Sequence, residues 1–563
     1  MNLALIGMVA ALALALVLRT AAMAAAVATG ATTPEGGIAS GLRVLADPSR
    51  PARAFEAPGL SAIAYWCVVT LFLGVFATVA WCAWRVVARL RHRAARDPHR
   101  IHGTATARDI ETAASKKALV RRAATLRPSI PHPRANDVGY LIGRSCGREI
   151  WASVEDSILV IGPPRSGKGL HLVINAILDA PGAVVTTSTR PDNIAATIDA
   201  RKERGPVAVF DPQHLTAGLP VVGGCGVRWS PIRGCEHPLT AMIRAAGLAS
   251  STGLSSGGTE SGGFWEGKAR SALQALLHAA ALEKLPTRAL FEWSLSASAA
   301  ADAVGILASH PQAAAGWSDS VEGMVSSDPR TRDSIWMAVA QALACLADPA
   351  VLDAVSPEAG EAFDPRDFLT QDSTLYLLAT GAGAGASGPL VAAFMEDLTE
   401  VARHLAAASP GARLDPPVLM ALDEIGNLAP LPSLPVLMAE GGGTGITTMP
   451  VLQSLAQARN KWGDHAANTI WDASIVKVVL GGASASKDLQ ELSVLIGERD
   501  ERSDTVTISD YGARSLQRST RRVSVMPPER IRTLPFGTGL VLLRSAPPMV
   551  TDLRPFTARQ GVG

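Results

Sequence analysis

The sequence lacks the usual marks of a disulfide or zinc protein. Its six cysteines, Cys67, Cys82, Cys146, Cys225, Cys235 and Cys345, are far apart, with no CxxC pair and no histidine at metal-ligand spacing. That argues against a disulfide framework and a structural zinc site, and for buried or membrane-facing thiols in a reducing compartment. A charge excess is also missing: 52 Lys and Arg against 50 Asp and Glu give a formal net charge of +2. Affinity for nucleic acid must therefore come from local patches. There is no internal repeat, and 563 residues allow roughly three to four domains.

Long apolar runs are present, and both lie at the N-terminus. The stretch "MNLALIGMVAALALALVLRTAAMAAAVATG" is interrupted only by Arg19 and is long enough to cross a bilayer. It has no basic n-region, which argues against a cleaved signal peptide. A second run, Leu60 to Trp84, carries Tyr65 and Trp66 towards one end and Trp81 and Trp84 at the other, where amphipathic rings favour the membrane interface. Then come Arg85, Arg89, Arg91, Arg93, Arg96 and Arg100, opposed only by Asp97. By the positive-inside rule that side is cytoplasmic. The expected N-terminal unit is a transmembrane hairpin over residues 1–90, with spans at about 3–28 and 60–84 and an external loop at about 31–59. Residues 91–150 are expected to be a basic juxtamembrane linker entering the next domain. The arginines there read as topology determinants and headgroup anchors before DNA contacts.

From Ile158 onward, β-rich runs alternate with helical patterns: "SILVIG", "GAVVTTST", "PVAVFDP", "STLYLLAT", "PPVLMALDE", "GITTMPVLQ", "ASIVKVVLGG" and "GLVLLRS". Strands this apolar are buried on both faces, which requires helices above and below a mainly parallel sheet. The fold class is α/β. Between Pro231 and about Asp364 the strand signals stop and Ala/Leu-rich helical patterns take over. The expected organisation is a nucleotide-binding domain over 151–235 and 365–563, with a helical domain inserted at 236–364. The Ser/Gly-rich stretch Ala249–Gly263 reads as a flexible loop within the insertion.

"LVIGPPRSGKGLHLVINAI" places GxxxxGK from Gly162 to Lys168 between a strand and a helix, the context expected of a phosphate-binding loop. Gly162, Pro163, Pro164, Arg165, Ser166, Gly167, Lys168, Gly169 and Leu170 would form the cradle for ATP. Backbone N–H groups converge on the phosphates, and Lys168 reaches the β- and γ-phosphates. The hydroxyl that normally follows the lysine and ligates Mg²⁺ is replaced by Gly169, so a water or another side chain must fill that coordination position. "PPVLMALDEIGNL" supplies Asp423 to hold the Mg²⁺ shell and Glu424 to orient and deprotonate the attacking water. Gln453, ending "ITTMPVLQ", is placed to hydrogen-bond the γ-phosphate or that water.

"GPPRSGKG", "LDEIGNLAPLPSLPVLMAEGGGTGI", "VLQSLAQ" and "VKVVLGG" together resemble the type IV coupling proteins, the conjugative ATPases of type IV secretion. The two N-terminal spans, "FWEGKARSALQALL" and "PPERIRTLPFGTGLVLL" extend the resemblance over most of the chain. It implies a RecA-like motor, generally hexameric, anchored in the bacterial inner membrane. Such a motor hydrolyses ATP to move single-stranded DNA with its relaxase into the secretion channel. Lys168, Asp423, Glu424 and Gln453 match the family's P-loop lysine, acidic pair and glutamine, and glycine commonly follows that lysine in the family. One departure is Gly442, where several members carry an arginine proposed to reach the neighbouring subunit's site. Arg459 and Arg499 are the substitutes to consider, and both read first as surface residues. Arg514, Arg518, Arg521 and Arg522 form a basic polar segment with Tyr511. That segment fits a solvated hairpin, or a DNA-contacting loop. Two other functions share these motifs: a coupling protein for protein effectors, and a recruitment platform with a weak or silent ATPase.

Overall fold

The first apolar run forms the helix Leu3–Thr29 and the second a 35-residue helix, Ala62–Arg96. In this computed structural model they belong to a unit spanning Met1–Arg100, and a second unit spans Ile101–Gly563. The structure describes residues 3–35, 37–96, 101–250, 262–358, 360–381, 386–508 and 514–559.

Within the first unit, the segments Ala11–Thr29 and Ala62–Arg85 are long and apolar enough to cross a membrane. Ala21, Ala22 and Ala25 are fully buried among Phe55, Tyr65 and Val69, small residues of the kind that let apolar helices approach closely. The Tyr65 hydroxyl donates to the Leu18 carbonyl at 3.3 Å. The loop between the helices is not open chain. It contains the turns Ser40–Arg43 and Pro51–Ala54, and a Cβ on Gly41 would run into the backbone of Ala15. The second helix does not stop at Trp84. At 1.5 Å per residue it is roughly 52 Å long, against a hydrocarbon core of about 30 Å, so its arginine-bearing end continues as helix through Arg96.

Among its described residues the second unit is built on thirteen strands: β1 (Gly139–Ser145), β2 (Arg148–Ser153), β3 (Ile158–Ile161), β4 (Val184–Ser188), β5 (Val207–Phe210), β6 (Thr374–Leu378), β7 (Val418–Leu422), β8 (Ile446–Leu452), β9 (Val476–Leu480), β10 (Glu498–Ile508), β11 (Arg514–Ser524), β12 (Thr538–Leu543) and β13 (Met549–Leu553). Eleven of them form one sheet in the order β2-β1-β13-β12-β9-β3-β8-β7-β4-β6-β5. From β9 to β5 every pairing is parallel, and the β2-β1-β13-β12 edge joins β9 antiparallel. The eight apolar runs correspond to β3 to β9 and β12. The strands not anticipated, β1, β2 and β13, all lie on the antiparallel edge, which β12 joins to the rest of the sheet.

Burial on both faces follows the period of two. Leu159 and Ile161 of β3 and Val418, Met420 and Leu422 of β7 enter one core. Their alternates, Ile158, Val160, Leu419 and Ala421, enter the other. The helical stretch runs from Pro238–Ser250 to Pro365–Leu369. Its core residues Leu273, Leu276 and Trp336 belong to the same buried cluster as Phe210 and Leu375 of the sheet. Trp229 stacks on Phe394 with ring centroids 4.5 Å apart. The Asp397 carboxylate beside it accepts from Trp229 Nε1 at 2.8 Å and pairs with the buried Arg244 at 2.8 Å. These bonds satisfy two charges that would otherwise be costly to bury. Residues 251–261 of the Ser/Gly-rich stretch lie outside the described residues.

Candidate active site

β3 carries the chain to Gly162 at the carboxyl edge of the sheet, and helical geometry resumes at Gly169. Between them Arg165 (φ 63°) and Gly167 (φ 87°) are left-handed, a bend in which successive N–H groups face one concavity. A Cβ on Gly162 would lie 2.6 Å from Ser166 Oγ, and one on Gly167 would lie 2.6 Å from His171 Nδ1. A Cβ at either position would thus press on a neighbouring side chain, and Gly167 in addition holds the left-handed φ that favours glycine. Ser166 Oγ is buried without a hydrogen-bond partner. The buried Lys168 donates to the carbonyls of Gly162 (2.8 Å) and Pro163 (3.0 Å), and its ammonium lies 4.0 Å from Glu424 Oε1.

The sheet order delivers the other groups. β8 lies between β3 and β7, with Ile161 opposite Leu452 and Pro450 opposite Leu422, and β4 follows with Thr187 opposite Leu422. The residues ending these strands therefore share one edge with the loop. Glu424 is itself left-handed (φ 53°), a conformation costing about 1–2 kcal/mol for a residue with a Cβ. Its Oε2 accepts from Gln453 Nε2 at 3.1 Å and from Asn427 Nδ2 at 2.8 Å. Gln457 braces both neighbours, donating to Asn427 Oδ1 at 2.7 Å and accepting from the Gln453 backbone N–H at 2.8 Å. Asp423 accepts from Asn193 Nδ2 at 3.0 Å, and its carbonyl accepts from Thr187 Oγ1 at 2.9 Å.

Burial holds the Lys168 ammonium below the usual lysine range, against the opposing pull of Glu424 and Asp423. Burial pushes the Asp423 carboxyl up, and the Asn193 hydrogen bond works the other way. A cleft of about 1180 Å³ opens over these groups and is lined also by Pro164, Gly169, Leu170, Arg190 and Phe556. The fit to a nucleotide rests on the orphaned Ser166 hydroxyl, the glycine-lined turn and a lysine whose charge is only partly compensated. The fit to Mg²⁺ rests on the Asp423 carboxylate, which lines the same cleft as Gly169.

Lys168, Asp423, Glu424 and Gln453 are thus brought together. Asn193, Gln457 and Phe556 belong to the same region and were not anticipated. Their only sequence signal was position: polar residues just after an apolar strand, or an aromatic near the C-terminus.

Gly442 has a backbone reason. A Cβ there would fall inside the van der Waals envelope of the Glu155 carbonyl oxygen, so an arginine has no room. Nearby, Arg413 donates to Gly442 O at 3.1 Å, Glu155 Oε1 at 2.7 Å and Thr125 O at 2.8 Å. Arg459 is not an open surface residue. It pairs with Asp488 and Glu491, both at 2.9 Å. Arg499 lies on β10, 3.3 Å from Glu501. The basic segment is β11 of a two-stranded ribbon, where Arg518, Arg521 and Arg522 stand opposite Asp504, Glu501 and Asp500 of β10. Of these, Arg522 Nε lies 3.9 Å from the Asp500 carboxylate, and both side chains are exposed. Tyr511 lies outside the described residues, as does the side chain of Arg514.

Residues 417–536, from β7 to just before β12, match the family model described as the TraM recognition site of TraD and TraG. Among solved structures, the unbound conjugative coupling protein TrwB is 18% identical with a TM-score of 0.53, covering 80% of this chain and 94% of that one. TrwB in complex with the ATP analogue ADPNP is 18% identical with a TM-score of 0.54, covering 82% and 95%. TrwB with ADP and Mg²⁺ is 18% identical with a TM-score of 0.53, covering 82% and 96%. The fold is that of a conjugative coupling protein. The resemblance read from the motifs and the coupling-protein fold agree, and the family match spans the acidic pair, Gln453 and the ribbon. No curated protein matches the chain.

Proposed function

We propose that this chain is a membrane-anchored ATPase that couples ATP hydrolysis to delivery of single-stranded DNA, with its relaxase, into a type IV secretion channel. It would work as a homohexamer, with the second unit on the cytoplasmic face of the inner membrane. The observation that carries the reading is the meeting of Lys168, Asp423, Glu424 and Gln453 at one sheet edge beside a glycine-lined turn. The TrwB complexes with ADPNP and with ADP and Mg²⁺ lend support to a nucleotide in that cleft.

Lys168 exchanges the carbonyls of its own loop for the β- and γ-phosphate oxygens. Ser166 Oγ and the loop N–H groups complete the cradle. Glu424 takes the proton of the attacking water, and Gln453, bonded to the same carboxylate, orients that water along the line of attack. Asp423 would hold Mg²⁺, which when bound would neutralise charge on the phosphates. Phe556 offers a ring at the cleft wall for the base. The arginine-bearing end of Ala62–Arg96 supports the cytoplasmic placement by the positive-inside rule.

A second reading keeps the cleft but makes the protein a recruitment platform with slow hydrolysis. Gly442 favours it, because that position has no room for an arginine acting on a neighbouring subunit, and such a residue is worth roughly three to five orders of magnitude in turnover. The full-length protein in detergent, assayed for ATP hydrolysis with and without single-stranded DNA, separates the two. Turnover stimulated by DNA and abolished in Lys168→Ala and Glu424→Gln supports the motor. Tight ATP binding with no turnover in any condition supports the platform. A DNA-independent turnover raised by a candidate effector protein points to protein cargo.

A further inference from the structure

Gly169 leaves a question about the metal shell, because the loop has no hydroxyl after its lysine. The answer lies in the helix that follows β4. Asn193 is the second residue of the helix Asp192–Lys202, buried to 3% exposure, and its backbone carbonyl accepts from Thr197 Oγ1 at 2.6 Å. It is a fixed side chain in a cleft wall shared with Gly169 and Asp423. Its amide orientation is set by chemistry: Asp423 Oδ2 can only accept, so Asn193 turns its Nδ2 towards it at 3.0 Å. That leaves Oδ1 on the other side, 3.5 Å from where a Cβ on Gly169 would sit. The amide oxygen thus lies in van der Waals contact with the place a side chain on residue 169 would occupy, and a neutral amide oxygen is a hard donor suited to Mg²⁺.

We propose that Asn193 replaces the missing hydroxyl. Its Oδ1 holds the vacant coordination position, as a ligand or through one retained water, while its Nδ2 fixes the Asp423 carboxylate. Gly169 and Asn193 are then one device divided between the helical turn after β3 and the helix after β4: the glycine carries no ligand and the amide supplies one. The inference rests on the nucleotide reading of the cleft.

The test is equilibrium binding of fluorescent ADP to the full-length protein in detergent, with Mg²⁺ and with EDTA. The quantity read is the ratio of the two dissociation constants. In Asn193→Ala that ratio is expected to fall by roughly tenfold or more, while affinity in EDTA stays within about twofold. Adding Gly169→Ser to Asn193→Ala restores the ratio. Gly169→Ser alone leaves it within about twofold of the parent, because the position is already filled.

An Asn193→Ala protein with an undiminished ratio overturns the proposal. So does one that loses affinity equally in Mg²⁺ and EDTA. If Asn193→Ala does not fold, Gly169→Ser alone decides: a roughly tenfold gain in the ratio would mean the position had been open, against the proposal. A parent protein that binds no ADP in either condition sinks the nucleotide reading instead, a different failure from any of these.

Discussion

Gly169 and Gly442 occupy the two places where the sequence pattern leads one to look for a functional side chain and finds none. In the text they are equivalent absences. In space they differ: beside Gly169 the nearest atom to an added Cβ is Asn193 Oδ1, in ordinary contact at 3.5 Å, whereas at Gly442 an added Cβ collides with the Glu155 backbone. Neither has the left-handed φ that demands glycine, so space alone distinguishes them. The first glycine is a chemical choice, since a side chain would fit there. The second is a packing requirement, and any function an arginine performs at that position elsewhere cannot be performed from it here. A missing functional residue is thus evidence of lost function only when its site has room for it.

The largest effect that could break this contrast is at Gly442. Gly442→Ala forces the turn and the Glu155 carbonyl apart, an overpacking cost of about 1–3 kcal/mol, and Gly442→Arg adds a long chain to the same collision. We expect a lowered melting temperature for the first and little folded protein for the second. A Gly442→Arg protein that folds normally and turns over ATP faster would show that the turn is adaptable, and the contrast would fail.

A smaller effect is expected at Arg413, the buried clamp on that turn. Arg413→Ala leaves the Glu155 carboxylate with Arg122 at 2.6 Å as its remaining partner, and releases the Thr125 and Gly442 carbonyls. Because Glu155 is partly exposed, the expected loss is about 2–3 kcal/mol, below that of a fully buried pair. If the clamp is what presses Gly442 against Glu155, combining Arg413→Ala with Gly442→Ala costs less than the two separately, and a denaturation cycle reads the difference. Strict additivity would place the rigidity elsewhere in the turn.

How much of this was legible depended on whether the signal was local. β3 to β9 and β12 are continuous apolar runs and could be read directly. β1, β2 and β13 carry polar residues such as Arg144, Glu149 and Asp552 in short strands, and only their partners reveal them as sheet. The loop at Gly162 and the Asp423–Glu424 pair are compact motifs. Asn193 is an amide in "RPDN", and it gains meaning only when β4 pairs with β7 and sets it against Asp423. The arginines of β11 read as a basic patch because the acids of β10 that stand opposite them lie more than ten residues earlier in the chain. The constraint on Gly442 comes from a backbone oxygen of Glu155, far away in sequence, which no pattern of side chains encodes.

The smallest effect, and the closest control on the opening contrast, is Gly169→Ala. The substitution matches Gly442→Ala atom for atom, so only the surroundings differ. Residue 169 begins a helical turn, and alanine at a helical position with room for its Cβ restricts the unfolded chain, which stabilises by about 0.4–1 kcal/mol. The melting temperature should therefore rise slightly, where Gly442→Ala lowers it. A methyl group has no lone pair for a metal, so the Mg²⁺ dependence of nucleotide binding should be unchanged from the parent. If Gly169→Ala instead weakens binding in EDTA and Mg²⁺ alike, the methyl group obstructs the phosphates themselves. Glycine would then be required at 169 by the ligand, as it is at 442 by the backbone of Glu155, and the two positions would differ only in what occupies the space.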